Sequence, residues 1–169
     1  MRRYLIKMRG RGRAPARPSM RHILWSSLGG TAGIGSVLAL ALYADVPLLV
    51  APFGATCVLA FAVPDSHLAQ PRSIIGGYLV STLVGLLVLD LSGAHAWDMA
   101  VAVGLAIGAM QFTRTVHPPA GAVPLLVMMA APGWLFLVAP MLVGAGLLVV
   151  AAVLVNNLSG ERHYPLYWV

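Results

Sequence analysis

From Ile23 to Ala44 the chain carries no charged side chain. A helix needs about 20 apolar residues to cross a hydrocarbon core roughly 30 Å thick, and this run is long enough. Three further segments approach that length: 73–91, 96–112 and 134–158. A water-soluble domain carries about 25% charged residues, whereas only 9% of this chain is charged and 59% is hydrophobic. Mean hydropathy is +0.85. Too few groups remain for water to solvate the whole surface, so lipid must cover much of it. The expected fold class is an all-α integral membrane protein.

Two other apolar segments are short and interrupted. Segment 46–63 contains Pro47 and Pro52, and segment 118–131 contains Pro118, Pro119 and Pro124. Each proline removes an amide donor and disfavours a continuous helix. The segments read either as half-helices completed by extended chain or as re-entrant loops. Broken backbone at membrane depth survives only where protein buries it or a water-filled cavity meets it. The expectation is thus four long transmembrane helices plus two short broken segments.

Charge divides the chain further. Eight of its 11 Lys and Arg residues lie in the first 21 positions: Arg2, Arg3, Lys7, Arg9, Arg11, Arg13, Arg17 and Arg21. Arg72, Arg114 and Arg162 are the rest. An apolar span follows the basic run directly, which favours a cytoplasmic tail held at an anionic leaflet over a nucleic-acid partner. The run from Ile23 also exceeds the 7–15-residue apolar core of a cleaved signal, so it reads as an uncleaved first span. The organisation expected is a basic tail over 1–22, a transmembrane domain over 23–158 and a short C-terminal tail over 159–169. The bacterial inner membrane is the expected location, with the N-terminus cytoplasmic. Cys57 is the only cysteine, which excludes an internal disulfide.

The chain repeats itself. Gly29 and Gly33 in the first span match Gly104 and Gly108 in the fourth. Pro52-Phe53-Gly54-Ala55 opens one broken segment and Pro119-Ala120-Gly121-Ala122 opens the other. Ala62-Val63-Pro64 and Ala130-Ala131-Pro132 close them, and Gly85-Leu86-Leu87-Val88 matches Gly146-Leu147-Leu148-Val149. Two related halves, roughly 23–91 and 96–158, with three crossings each would have opposite topology, the inverted-repeat plan of many secondary transporters. With six crossings Arg72, Arg114 and Arg162 all fall inside; with four, Arg72 and Arg114 fall outside. The positive-inside rule favours six. Gly77, Ser81 and Gly85 recur every fourth residue, a spacing that lets helices approach closely in lipid. Packing within the chain is the first reading of such faces, and a homo-oligomer the second.

Two polar stretches stand beside the broken segments: Pro64 to Arg72, and Gln111 to Pro119. Polar groups near membrane depth are costly and point to function. Asp65 and His67 read as surface loop; Gln70, Arg114 and His117 sit at proline breaks and are site candidates. A helix N-terminus presents unpaired N–H groups and the positive end of the dipole, and glycine lets a ligand approach the backbone. Helix starts around Gly54 and Ala55, and around Gly121 and Ala122, facing one another near mid-membrane would suit a small inorganic anion such as nitrite, nitrate or chloride. Thr56, Thr115 and His117 would add donors. No spaced His, Cys and carboxylate cluster suggests a metal, and no phosphate loop or catalytic constellation stands out. The chain therefore reads as no enzyme and as needing no cofactor, with membrane lipid and a small anion as partners.

His117-Pro118-Pro119-Ala120-Gly121-Ala122 resembles the HPP family of integral membrane proteins, named for its His-Pro-Pro motif. Phe53-Gly54-Ala55-Thr56, Pro64 to Arg72 and Ile75-Gly76-Gly77 share the likeness, which spans about 23–158. Ser73 and Tyr78 stand where the family pattern commonly has Asn and His. The resemblance implies a small polytopic protein, usually described with four transmembrane helices. Photosynthetic members of the family are associated with nitrite transport. The functional expectation is passage of a small inorganic anion, most of all nitrite, with His117 and Arg114 at the inner entrance. A non-transporting scaffold or regulatory subunit is the alternative, favoured by an apolar, closely packed interior without a polar cavity around Gly54 and Gly121.

Overall fold

The computed structural model describes Tyr4, Lys7, Met8 and residues 12–169. Arg2, Arg3, Arg9 and Arg11 of the basic tail lie outside the described residues.

Most helices from Met20 onward start or stop where the sequence supplies a cap or a proline. Helix α1 (Met20–Ala44) is opened by Ser19, whose Oγ accepts from the His22 amide at 3.2 Å, and ends at Asp45 in the left-handed region. Helix α2 (Ala51–Cys57) begins with proline in its first turn after extended Val50, and runs on as a wider π turn through Val58–Ala62. After a 3-10 turn at His67–Ala69, Pro71 starts α3 (Pro71–Ser92), which stops at Gly93 with φ of 82°. Helix α4 (Ala96–Phe112) carries Asp98 in its first turn, where the carboxylate meets the positive end of the dipole. A 3-10 turn at Pro118–Ala122 leads into α5 (Val123–Ala130). A last run, 3-10 at Trp134–Leu137 and π at Val138–Leu142, leads into α6 (Val143–Leu158).

Two details differ from the sequence expectation of four long helices. Helix α4 has 17 residues, which at about 1.5 Å per residue is some 5 Å short of a roughly 30 Å core. Three runs are long and apolar enough to cross a membrane: Met20–Ala44, Pro71–Ser92 and Trp134–Leu158. The third of these is itself interrupted, because Ala139 leaves helical geometry (φ −127°, ψ 117°). It precedes Pro140, whose ring pushes the preceding residue out of the helical region.

The bundle has two unlike ends. The start of α1, the end of the α2 π turn, the 63–70 loop, the start of α3, the end of α4 and the segment after α6 share one of them. Arg162 Nη2 donates to His22 O at 3.0 Å, Arg72 Nη2 to Thr113 O at 3.1 Å and Tyr164 Oη to Ala69 O at 2.7 Å, and Arg21 pairs with Glu161. We call this the basic end. The other end holds Asp45, Asp90 and Asp98, with Trp134 Nε1 donating to Asp90 Oδ2 at 2.9 Å.

Small residues set how closely the elements approach. A side chain at Gly29 or Gly33 of α1 would overlap the Phe61 ring, and one at Gly144 of α6 would overlap Phe53. On α3, a Cβ at Gly77 would fall 2.7 Å from His117 Cβ and 2.9 Å from Thr115 O, and one at Gly85 would fall 3.1 Å from Pro124 Cα. Ser81 completes that stripe, donating to Met110 Sδ at 3.8 Å. The stripe thus packs within the chain, as its spacing suggested. Gly104 and Gly108 on α4 meet nothing within 4 Å.

Candidate functional site

The two broken segments meet at the centre of the bundle. The run 113–117, a turn at Thr113 and Arg114 followed by extended chain, leads in from the basic end and lies against α3, where Gly76 and Gly77 leave room for Thr115 and His117. His117, Thr56 and Tyr78 are all fully buried there. His117 Nδ1 lies 2.7 Å from Leu68 O, and His117 Nε2 lies 2.8 Å from Thr56 Oγ1, which is in turn 2.8 Å from Tyr78 Oη.

Proton counting gives this chain a direction. A carbonyl oxygen only accepts, so Nδ1 carries the proton and donates to Leu68 O. In the neutral ring Nε2 is then the acceptor, and the Thr56 hydroxyl donates to it. The single Thr56 proton is thereby used, so Tyr78 donates to Thr56. The order is Tyr78 to Thr56 to His117 to Leu68, and no donor in it is left over. Phe53 stands edge-on to Tyr78 with centroids 5.3 Å apart, and the His117 ring lies 5.4 Å from the Tyr78 ring. Tyr78 thus lies at the centre of the site.

The other candidates are distributed around this chain. Thr115 is buried, its amide donating to Met110 O at 2.9 Å and its hydroxyl 2.7 Å from that of Thr113. Gln70 is fully buried: Nε2 donates to Pro64 O and Ser66 O, both at 2.9 Å, and Oε1 accepts from the Leu166 amide at 2.8 Å. Its polar groups hold the 64–70 loop and the C-terminal segment together. Arg114 is exposed and ends α4 in the left-handed region, φ 57°, its carbonyl turned to Arg72 Nε at 3.3 Å. Asp65 and His67 lie on the surface, in line with the loop reading.

The helix starts around Gly54 and Gly121 do approach each other, through their alanines. Ala51, Pro52 and Ala55 of the first segment and Pro118, Pro119 and Ala122 of the second line one open groove of about 600 Å³. Its walls are apolar. Gly54 and Gly121 themselves meet open space within 4 Å of a built Cβ, and Gly54 is exposed on a separate shallow groove beside Ser27 and Gly30.

Sequence reasoning missed the closure of the basic end. The π turn leaves carbonyls without helical partners, and three in succession are taken by side chains. Ala60 O accepts from Asn156 Nδ2 at 3.0 Å, Phe61 O from Ser26 Oγ at 2.8 Å and Arg162 Nη1 at 3.0 Å, and Ala62 O lies 2.9 Å from His22 Nε2. Residues 159–169 are docked as well. Tyr164 is buried, which pushes its phenol above the ordinary range and keeps it a donor to Ala69 O. Only the polarity of Asn156 near the end of an apolar helix could have signalled these roles.

The family description "HPP, transmembrane region" matches residues 15–165. Two transmembrane proteins of Dictyostelium discoideum are similar to the chain: one is 39% identical over 94% of it and 60% of the relative, the other 36% identical over 98% and 57%. The chain thus spans about 60% of the length of these relatives. No solved structure matches.

Proposed function

Because this chain belongs to the HPP family of integral membrane proteins, we propose that it passes a small inorganic anion, nitrite first, between its two halves. The observation that carries the reading is the buried Tyr78–Thr56–His117 chain at the meeting point of the two broken segments. Polar groups at such depth are costly, and broken helices that meet there are a transporter device.

The reading includes inverted halves and six crossings. Both halves run helix, broken segment, helix, with the 17-residue α4 shorter than its counterpart α1. Helix α1 packs on α6 as α4 packs on α3, and each broken segment packs on the last helix of the other half. The lead-in runs 46–50 and 113–117 come from opposite ends of the bundle. With Arg72, Arg114 and Arg162 at one end, the positive-inside rule makes that end, and the N-terminus, cytoplasmic. Both relatives come from a eukaryote, so they give the bacterial location no support. The reading involves no catalytic step; lipid and the anion are the partners, and the open Gly104 and Gly108 face of α4 is where a second copy would pack.

The chain is sealed as it stands, so passage requires the Thr56–His117 bond to part and free the Thr56 hydroxyl as a donor between the helix starts near Ala55 and Ala122. The test is nitrite uptake into proteoliposomes, with nitrate and chloride as competitors and His117→Ala as control. Uptake by the wild-type chain that falls at least about tenfold in the variant, the loss typical of a specific buried contact, would support the pathway. No uptake of any of the three anions by folded protein would sink it. The second reading, a non-transporting scaffold or regulatory subunit, is favoured by one specific observation: the groove between the broken segments is apolar.

A further inference from the structure

A second feature lies apart from the central chain. Arg72, Arg114 and Tyr167 line a small open pocket of about 250 Å³ at the basic end, with Val169 on its rim. Neither His117, Thr56 nor any residue of the apolar groove belongs to it. Arg72 is held rather than loose. Its Nε donates to Arg114 O at 3.3 Å and its Nη2 to Thr113 O at 3.1 Å, so the last carbonyls of α4 fix the guanidinium by its Nε edge. Guanidinium presents five N–H donors, and Nη1 takes no protein partner among the described residues. Arg114 has no side-chain hydrogen bond among those residues either.

Among the described residues no side-chain carboxylate pairs with Arg72 or Arg114; the ion pairs are Arg21–Glu161 and His95–Asp98. Two guanidinium groups beside one pocket repel each other, and an anion bound between them offsets that repulsion. The planar fork of arginine suits the oxygens of a phosphate in particular. Tyr167 is fixed by stacking on His67, centroids 5.9 Å apart at 30°. Trp168 beside it is 57% exposed, and tyrosine with tryptophan at a bundle end marks the level of the lipid headgroups. Basic pockets at helix ends on the cytoplasmic side suit anionic headgroups.

We propose that Arg72, Arg114 and Tyr167 form a binding site for one anionic phosphate group, presented by a phospholipid headgroup or as free phosphate. Arg114 is also the residue expected at the inner entrance of the anion pathway, but neither His117 nor Thr56 lines this pocket, so the phosphate site stands whether or not the protein transports.

The full chain is reconstituted into phosphatidylcholine nanodiscs holding a trace of fluorescent phosphatidylglycerol, and enrichment of the label beside the protein is measured. Arg114→Gln is the main variant, since that side chain has no hydrogen bond to lose, and Arg17→Gln is the control for general charge at the same end. The expected result is enrichment around the wild-type chain that falls at least threefold in Arg114→Gln and is unchanged in Arg17→Gln. Millimolar inorganic phosphate that leaves this enrichment intact identifies lipid as the source. Weak label enrichment, together with thermal stabilisation by inorganic phosphate that Arg114→Gln abolishes, identifies free phosphate. Equal label enrichment in all three chains, or an equal fall in Arg17→Gln and Arg114→Gln, without phosphate stabilisation, overturns the proposal.

Discussion

The two broken segments are written alike and held differently. Each has a lead-in, a proline, and a short helix containing Gly-Ala. The first lead-in, Val46 to Val50, is apolar and lines an open cavity of about 450 Å³ with Pro132 to Pro140. The second, Thr113 to His117, is polar. Its hydroxyls, imidazole and carbonyls bond to one another, to Thr56, to Leu68 O and to Arg72. The far ends reverse the pattern. The first segment leaves through carbonyls 60–62, capped by His22, Ser26, Asn156 and Arg162, whereas the second leaves at Ala131, which bonds only Val127 O. Both polar parts therefore lie toward the basic end. The polar side chains of the two broken segments thus follow the end of the bundle they face, not their order along each segment.

The largest test of that contrast is at Gly77. A Cβ there meets the Thr115 carbonyl and His117 Cβ below 3 Å, and backbone cannot swing aside as a flexible side chain can. Gly77→Val should destabilise by about 3 kcal/mol or more, read as a fall in Tm in detergent. A variant that melts with the wild type would mean that the second lead-in is not held against α3.

His117→Ala comes next. It removes the acceptor of the Thr56 hydroxyl and the donor to Leu68 O, leaves Leu68 O without a partner and Thr56 with only Tyr78 and the Pro52 carbonyl at 3.3 Å, and opens a small void. The expected cost is about 2–3 kcal/mol, with His117→Asn recovering part of it. A cost under about 0.5 kcal/mol would show that water already reaches the ring, which would favour an open pathway over the sealed chain.

How much of this was legible in sequence follows from which forces leave local traces. The membrane class, the proline breaks and the Gly77–Ser81–Gly85 stripe are properties of apolarity, missing amides and missing side chains, and each is written where it acts. The meeting of Thr56 with His117 joins positions 61 apart, and only the likeness between the halves hinted that both belong to one place. Gly54 and Gly121, read as places where a ligand could approach the backbone, have open space beside them, while Gly76 and Gly77 admit the chain itself. Pro140 was passed over because the run around it is so apolar, although the same proline rule had marked the other two segments. The C-terminal clamp had no local signature, since Tyr164 and Arg162 act on carbonyls that are unpaired only because the π turn frees them.

Tyr164→Phe tests that clamp with a smaller effect. It removes one buried hydrogen bond and leaves Ala69 O unpaired, worth about 1–1.5 kcal/mol. Because Ala69 adjoins Leu68, whose carbonyl orients His117, the same variant should make residues 64–70 exchange amide hydrogen faster than the end near Asp90 does. Uniform exchange at both ends would deny the clamp any local role.

The smallest effect is expected at Gly54, the first segment's counterpart to Gly121. Its Cβ position is open and the residue lies within a helix, so Gly54→Ala should be neutral or gain about 0.5–1 kcal/mol by lowering backbone freedom in the unfolded chain. Paired with Gly77→Val, it asks whether the glycines of the two motifs have the same purpose. If Gly54→Ala melts no earlier than the wild type yet lowers nitrite uptake, the added methyl obstructs something that passes this point, and the helix start near Gly54 regains a part in the pathway. If stability and uptake are both kept, the glycine is dispensable, and the burden of any pathway falls on Thr56, Tyr78 and His117 alone.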